Sequence, residues 1–94
     1  MVKLSNSNYI KIKKNIIKKL YSNQCFNSGH MLYERLTSGI PSHLKGFVKI
    51  VLNDLLKEEL VLVYGKTKYG IAYQLNVKKL NGIEKIMDLQ WWLI

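Results

Sequence analysis

The sequence predicts a single, mostly helical α+β domain in which three helices precede a β-hairpin and a further helix follows it. Three observations lead to this fold class. Apolar residues recur at three- and four-residue spacing in long segments, two short β-rich segments flank a glycine-bounded turn, and the chain has 94 residues. A chain of this length forms one domain with one modest core. We therefore treat residues 1–94 as one unit.

The first helix is predicted from about Asn8 to Tyr21, because its apolar residues share one face. Ser7 or Asn8 is the expected N-cap. Lysines fill most of the other positions, and this basic face indicates either a contact with a phosphate backbone or an ordinary solvated surface. These lysines are Lys11, Lys13, Lys14, Lys18 and Lys19.

A short second helix is predicted over His30–Thr37. The polar loop before it contains Cys25 and Phe26, which we expect to reach the core or to form a very short strand. Gly39 favours the left-handed conformation that ends a helix. A turn of three to four residues then leads into the third helix, which is a helix-turn-helix arrangement.

The third helix is predicted from Ser42 to about Glu59. Pro41 fixes the backbone before it, and Ser42 is the expected N-cap. Spacing places one set of apolar residues on the buried face: Leu44, Phe47, Val48, Val51, Leu52, Leu55 and Leu56. The opposite face carries His43, Lys45, Gly46, Lys49, Asn53 and Lys57. Because Asp54, Glu58 and Glu59 come only near the far end, the first half of this helix is basic.

The hairpin is predicted from Val61–Tyr64 and Ile71–Leu75, which are rich in β-branched and aromatic residues. The connecting turn is predicted at Gly65–Lys68, and Gly65 and Gly70 permit the positive φ that such turns need. Between these glycines lie the phosphate donors Lys66, Thr67 and Lys68.

The C-terminal segment, residues 77–94, is predicted to be helical. Asn76 is the expected N-cap, and the helix starts either at about Val77 or, after a turn, at about Gly82. Its last residues, Trp91–Ile94, are all apolar and have to be covered. They either fold back on the domain or contact a second copy, and we predict a homodimer through this helix.

The net charge of +9 argues for an anionic partner. Nucleic acid fits this charge better than a membrane surface does, although a lysine-rich composition also follows from an AT-rich genome. No apolar segment approaches the 18 or so residues of a membrane span, and no signal peptide is evident, so a cytoplasmic protein is expected. A single cysteine, Cys25, excludes an internal disulfide.

Catalytic and metal chemistry is not expected. His30, His43 and Cys25 match no zinc-ligand spacing, and Gly65–Thr67 lacks the preceding glycine pattern of a phosphate-binding loop. No nucleophile has an arguable base. We therefore predict a binding protein without a cofactor rather than an enzyme.

The order helix, helix, turn, helix, hairpin resembles the winged helix-turn-helix family over about Asn8–Asn76, and a C-terminal helix is a frequent addition in that family. A narrower resemblance to small archaeal winged-helix proteins rests on a few phrases of the sequence. These are Gly39–His43, Leu52 and Leu55 with Leu60–Val61, Lys66–Gly70 and Tyr73–Asn76.

The resemblance implies a double-stranded DNA-binding protein, acting as a transcriptional regulator, with its third helix in the major groove and its hairpin on the flanking backbone. The implied DNA-binding residues are Ser42, His43, Lys45, Gly46, Lys49 and Asn53 in the helix and Lys66, Thr67 and Lys68 in the wing. Asn53 matches adenine, and Lys45 or Lys49 matches guanine. The contact face lacks arginine, which disfavours bidentate guanine contacts and predicts modest specificity.

Two other functions remain open from the sequence. Winged helices also serve as protein-interaction modules, and here the wing and the apolar C-terminus would dock a larger partner. Alternatively, Tyr64, Tyr69 and Tyr73 would stack on RNA bases.

Overall fold

A computed structural model describes the backbone of residues 4–92 and the side chains of residues 4–87. It confirms the α+β class: this part of the chain contains four α-helices and one three-stranded antiparallel sheet. The α-helices are α1 (Asn6–Ser22), α2 (Tyr33–Thr37), α3 (Val48–Lys57) and α4 (Leu80–Trp92), and the strands are β1 (Met31–Leu32), β2 (Val61–Thr67) and β3 (Gly70–Leu75). Segments of 3-10 helix cover Ser42–Phe47 and Val77–Lys79. Of the helices described, none has the length and apolar character needed to cross a bilayer.

Helix α1 starts earlier than the sequence predicts. The side chain of Ser5 accepts a hydrogen bond from the backbone N–H of Asn8 at 3.2 Å, so Ser5 is the N-cap and the assignment to Ser7 or Asn8 is wrong. The apolar face is predicted to comprise Tyr9, Ile12 or Ile10, Ile16, Ile17 and Leu20. Ile12, Ile16, Ile17 and Leu20 are almost fully buried, which confirms most of this face. Tyr9 is only partly buried, and Ile10 is 45% exposed, so Ile12 is the core residue of that pair.

The predicted second helix is shorter because its first residues join the sheet. Met31 and Leu32 pair with Tyr73 and Ala72 of β3, which leaves only Tyr33–Thr37 as α2. A short apolar segment fits a strand or a helix equally well, and pairing with β3 decides between them. Cys25 reaches the core as expected, and its carbonyl accepts a hydrogen bond from the Leu75 N–H at 2.7 Å.

The predicted third helix consists of two different segments. Ser42–Phe47 is a 3-10 helix, and α3 begins only at Val48. Pro41 occupies the N-cap position, and no side chain makes a capping bond there, so Ser42 as N-cap is wrong. The tight segment begins with a bond from the Leu44 N–H to the Pro41 carbonyl at 2.8 Å. The glycine within it, Gly46, lowers the preference for a regular α-helix.

The three strands lie in the order β1-β3-β2, so β3 is central. The hairpin is longer than predicted, because β2 continues through Thr67 and the turn is confined to Lys68 and Tyr69. Gly65 therefore lies within a strand rather than in the turn. Gly70 has a φ of +125°, which only glycine adopts without strain.

After β3, the side chain of Asn76 accepts a hydrogen bond from the Lys78 N–H at 3.1 Å, which confirms the predicted N-cap. The 3-10 turn that it caps leads into α4, which starts between the two predicted positions. Ile83 anchors α4 in the core. The predicted dimer contact at Trp91–Ile94 lies outside the residues whose side chains are described.

Helices α1 and α3 are joined by polar contacts beside the core. The Tyr9 hydroxyl donates to the Asp54 carboxylate at 2.6 Å, and Lys13 forms an ion pair with Glu58 at 3.1 Å. The hydrogen bond to Asp54, followed by burial, raises the pKa of Tyr9 to about 12. These contacts fix the rotation of α3 about its own axis.

Replacing Tyr9 with phenylalanine should lower the free energy of unfolding by about 1 kcal/mol near neutral pH, because the Asp54 carboxylate loses its donor. The difference in free energy of unfolding between wild type and this variant is complete below pH 10, where Tyr9 is protonated in both the folded and the unfolded chain. It is lost as the pH rises from 10 to about 12, since only the unfolded chain releases the proton there. Urea unfolding of both proteins across this range measures the difference.

The matched control is Tyr33→Phe, because the Tyr33 hydroxyl forms no hydrogen bond with any described residue. This variant should show no such loss near neutral pH. If the difference in free energy of unfolding between wild type and Tyr9→Phe stayed constant up to pH 12, this result would contradict the proposed hydrogen bond.

Candidate nucleic-acid interface

The predicted binding residues occupy two neighbouring parts of the molecule. Eight of the nine are exposed, and Thr67 is partly buried. Ser42, His43, Lys45 and Gly46 lie in the 3-10 segment, Lys49 and Asn53 in α3, Lys66 and Thr67 in β2, and Lys68 in the hairpin turn.

The 3-10 geometry arranges the first group differently from an α-helix. With three residues per turn, side chains at positions i and i+3 lie directly above one another. Leu44 is buried and Phe47 packs against the core, so this row anchors the segment. The remaining rows, His43 with Gly46 and Ser42 with Lys45, are therefore left on the surface.

The outer face of α3 carries no acidic side chain. Lys49, Asn53 and Lys57 follow one another at four-residue spacing, and all three are exposed. The acidic residues Asp54 and Glu58 lie on the flank that contacts α1, where each has a partner. The sequence indicated only that these acids come late in the helix; the structure adds that they face away from the basic surface.

A groove of about 280 Å³ separates the helices from the hairpin. It is lined by Tyr33, Glu34, Lys49, Tyr69, Gly70, Ile71 and Tyr73. Lys49 enters it from α3, whereas Tyr69 and Ile71 enter it from the hairpin. The helix and the hairpin therefore meet at one concave surface, in which Glu34 supplies the acidic group.

A β-bulge directs Lys66 to this same surface. Val63 lies opposite Tyr73 and Gly65 lies opposite Ala72, so Tyr64 is an extra residue in β2. Beyond the bulge Lys66 lies opposite Ile71, and residues directly opposite share one face of a sheet. Without the extra residue the alternation would send Lys66 to the other face.

The hairpin tip is held by the hydroxyl of Thr67. It donates to the Gly70 carbonyl at 2.8 Å and accepts from the Tyr69 N–H at 3.1 Å. Its proton is engaged within the turn, so Thr67 shapes the tip, and the adjacent lysines supply its charge. The Lys68 ammonium lies 5.3 Å from the centre of the Tyr69 ring, within range of a cation–π contact.

The three hairpin tyrosines do not form one stacking platform. Tyr73 is buried, and Tyr64 stacks on His30 with 4.2 Å between ring centres. Tyr69 is 73% exposed and lines the groove beside Lys49, so we add it to the candidate interface. Its position directly before the tip glycine was the sequence signal for this role.

The side chains considered as metal ligands have different surroundings. His30 stacks on Tyr64, His43 is exposed in the 3-10 segment, and Cys25 is buried, which raises the pKa of its thiol. No group of three or more His, Cys, Asp or Glu residues suited to a metal ion occurs in the part of the chain that the structure describes.

Comparison of the chain with protein-family models, with curated proteins and with solved structures finds no match. The class of protein defined so far is thus a small α+β domain with a basic surface formed by a helix and a hairpin.

The tip geometry predicts a specific effect of glycine substitution. Gly70→Ala should lower the free energy of unfolding by about 1–2 kcal/mol, because the φ of Gly70 strains any residue with a Cβ although no atom lies within 4 Å. Gly46→Ala is the matched control, since its surroundings are equally open and its φ is not positive. It should cause no loss. Urea unfolding compares the two variants, and equal losses would contradict the assignment of strain to Gly70.

Proposed function

We propose that this chain is a winged-helix protein that binds double-stranded DNA and acts as a transcriptional regulator. The observation that carries the proposal is that Lys49 of α3 lines the groove, while Lys66 of β2 lies opposite Ile71, which lines the same groove from the hairpin. The order of the elements, with a hairpin directly after the third helix, supports the winged-helix assignment. In this arrangement the Ser42–Lys57 region lies in the major groove and the hairpin tip contacts the flanking phosphates.

Dimensions support the placement of the helix. An α-helix with its side chains is about 10–12 Å across, and the major groove of B-DNA is about 12 Å wide. The exposed Lys49 and Asn53 are four residues apart, so both point into the groove when the buried face of α3 points away. Asn53 pairs with adenine edges, and Lys49 contacts guanine or phosphate.

Electrostatics support a polyanionic partner at this surface. Lysines that neutralise phosphates release condensed counterions, which provides most of the affinity of sequence-independent binding. Because Asp54 and Glu58 are paired with α1, the outer face of α3 keeps its positive charge undiminished. Among the residues that line the groove, Glu34 carries the one negative charge.

Duplex DNA is favoured over single-stranded RNA by the positions of the aromatic residues. Sequence-tolerant binding of single strands uses several aromatic side chains on one surface. Here Tyr73 is buried, and the ring of Tyr64, although 46% exposed, is stacked on His30, so Tyr69 is the one of the three whose ring is both exposed and not stacked on another ring. Competition between duplex DNA and single-stranded RNA for the wild-type protein tests this preference, and duplex DNA should win.

A salt titration of duplex binding tests the assigned surface. Lys49→Ala and Lys66→Ala should each weaken binding and reduce the slope of log K against log[salt] by about one unit, because each removes one phosphate contact. Lys79→Ala is the control, since Lys79 is also exposed but follows β3 at the end opposite to the hairpin tip. It should leave the slope almost unchanged. Equal slopes for Lys49→Ala, Lys66→Ala and Lys79→Ala would show that the assigned surface is not the one that binds.

A further inference from the structure

The outer face of α3 carries an exposed apolar side chain among its polar and basic ones. Ile50 is 51% exposed, whereas the other apolar residues of this helix are buried or partly buried. Its neighbours along the helix on the exposed side are Lys49, Asn53 and Lys57. The spacing that predicts the buried face of α3 does not include Ile50, so its role lies at the surface.

Ile50 lies near the centre of this outer face. With about 100° between successive residues of an α-helix, the four buried residues of α3 define the direction of the core. Ile50 lies about 30° to one side of the opposite direction, and Asn53 lies about 30° to the other side. Lys49 lies about 70° from that direction, so it contributes to the flank of the face.

The turn before Ile50 leaves its side chain accessible. Side chains of an α-helix lean towards the N-terminus, over the residues of the preceding turn. Four positions before Ile50 is Gly46, which is exposed and would have no atom within 4 Å of an added Cβ. A partner that approaches the outer face of α3 therefore reaches Ile50 without displacing a side chain at that position.

The chemistry of the major groove offers a specific partner for such a side chain. With α3 placed in the groove as proposed above, Ile50 and Asn53 are directed at the edges of the base pairs. Isoleucine has no side-chain donor or acceptor, so it distinguishes base pairs by apolar contact. The apolar group that the bases present in this groove is the C5-methyl group of thymine. Covering the amino group of adenine or cytosine with an alkyl side chain instead costs free energy, because that group loses its hydrogen bond with water.

The spacing of Ile50 and Asn53 matches the spacing of neighbouring base pairs. Three residues correspond to about 4.5 Å along the axis of α3. Successive bases along a DNA strand are about 3.4 Å apart. An asparagine matches the edge of adenine, so a thymine beside that base pair gives both side chains a partner.

We propose that Ile50 contacts the methyl group of a thymine next to the base pair that Asn53 reads, so that the domain selects duplexes with adjacent A·T pairs. The inference rests on the proposed function at α3. It adds a specificity-determining side chain and the class of sequence that this side chain selects.

Removing the methyl groups from the DNA tests the inference. The two probes are a duplex of alternating adenine and thymine and the same duplex with deoxyuridine in place of every thymine. At one salt concentration, wild type should bind the thymine duplex about fourfold more tightly, because the uracil duplex lacks the buried methyl group. Ile50→Ala should bind both duplexes equally, because its side chain ends at Cβ and does not reach the methyl group. Fluorescence anisotropy measures the four dissociation constants.

The matched control is Val77→Ala. It shortens another exposed β-branched side chain, one that follows β3 and lies outside α3 and the hairpin. This variant should keep the wild-type preference for thymine. Ile50→Ala should remain folded, since alanine is the better helix former, and equal unfolding midpoints check this for both variants.

Each other outcome has a distinct meaning. Wild type that binds both duplexes equally overturns the inference and leaves the proposed function intact. A preference for thymine that persists in Ile50→Ala assigns the effect to DNA shape or to another side chain, and this also overturns the inference. Weaker binding of Ile50→Ala to both duplexes by the same factor overturns it as well, because Ile50 then contributes without sensing the methyl group. No binding of either duplex by wild type overturns the proposed function together with the inference.

Discussion

The hydrogen bond from Tyr9 to Asp54, with the neighbouring ion pair of Lys13 and Glu58, determines what α3 presents to its surroundings. The apolar residues of α3 specify that one side is buried, but a hydrophobic stripe tolerates some rotation of the helix. Directional contacts on one flank remove that freedom. They also hold both carboxylates against α1, so the side that carries Lys49 and Asn53 is basic. One set of contacts thus orients the helix and segregates its charge.

The hairpin is set by a comparable local constraint, the extra residue Tyr64. A strand alternates its side chains strictly, so a single inserted residue reverses the facing of everything beyond it. Before the insertion, Val61 and Val63 lie opposite Leu75 and Tyr73, on the face of the sheet that those two residues share. After the insertion, Lys66 lies opposite Ile71 and so falls on that same face. The stack of Tyr64 on His30 occupies the other side of the sheet. The bulge therefore couples the position of the hairpin lysine to the position of α3.

The sequence predicts those parts of the fold that one segment specifies by itself. The apolar spacing in α1 and α3 indicates the buried faces correctly, and the β-branched segments indicate the hairpin. Features that depend on a distant segment could not be predicted. Met31 and Leu32 become a strand only because β3 offers backbone partners. The bulge at Tyr64 was missed because Gly65, whose position inside a strand is a sign of a bulge, was interpreted as a turn residue. The list of candidate binding residues came from pattern and resemblance; their exposure and the engagement of Thr67 required the structure.

The net charge does not distinguish one lysine of this chain from another, but the lysines have different surroundings and therefore different roles. Lys13 and Lys19 hold helices together, so their charges are matched by a carboxylate or by carbonyl dipoles. Lys49 lines the groove beside the hairpin, and Lys66 lies opposite Ile71, another residue of its lining. Because salt screens each charge beyond about 8–10 Å, the position of a lysine decides which charges it can act on. The distribution of the lysines and of their partners therefore carries more information about a binding surface than their total does.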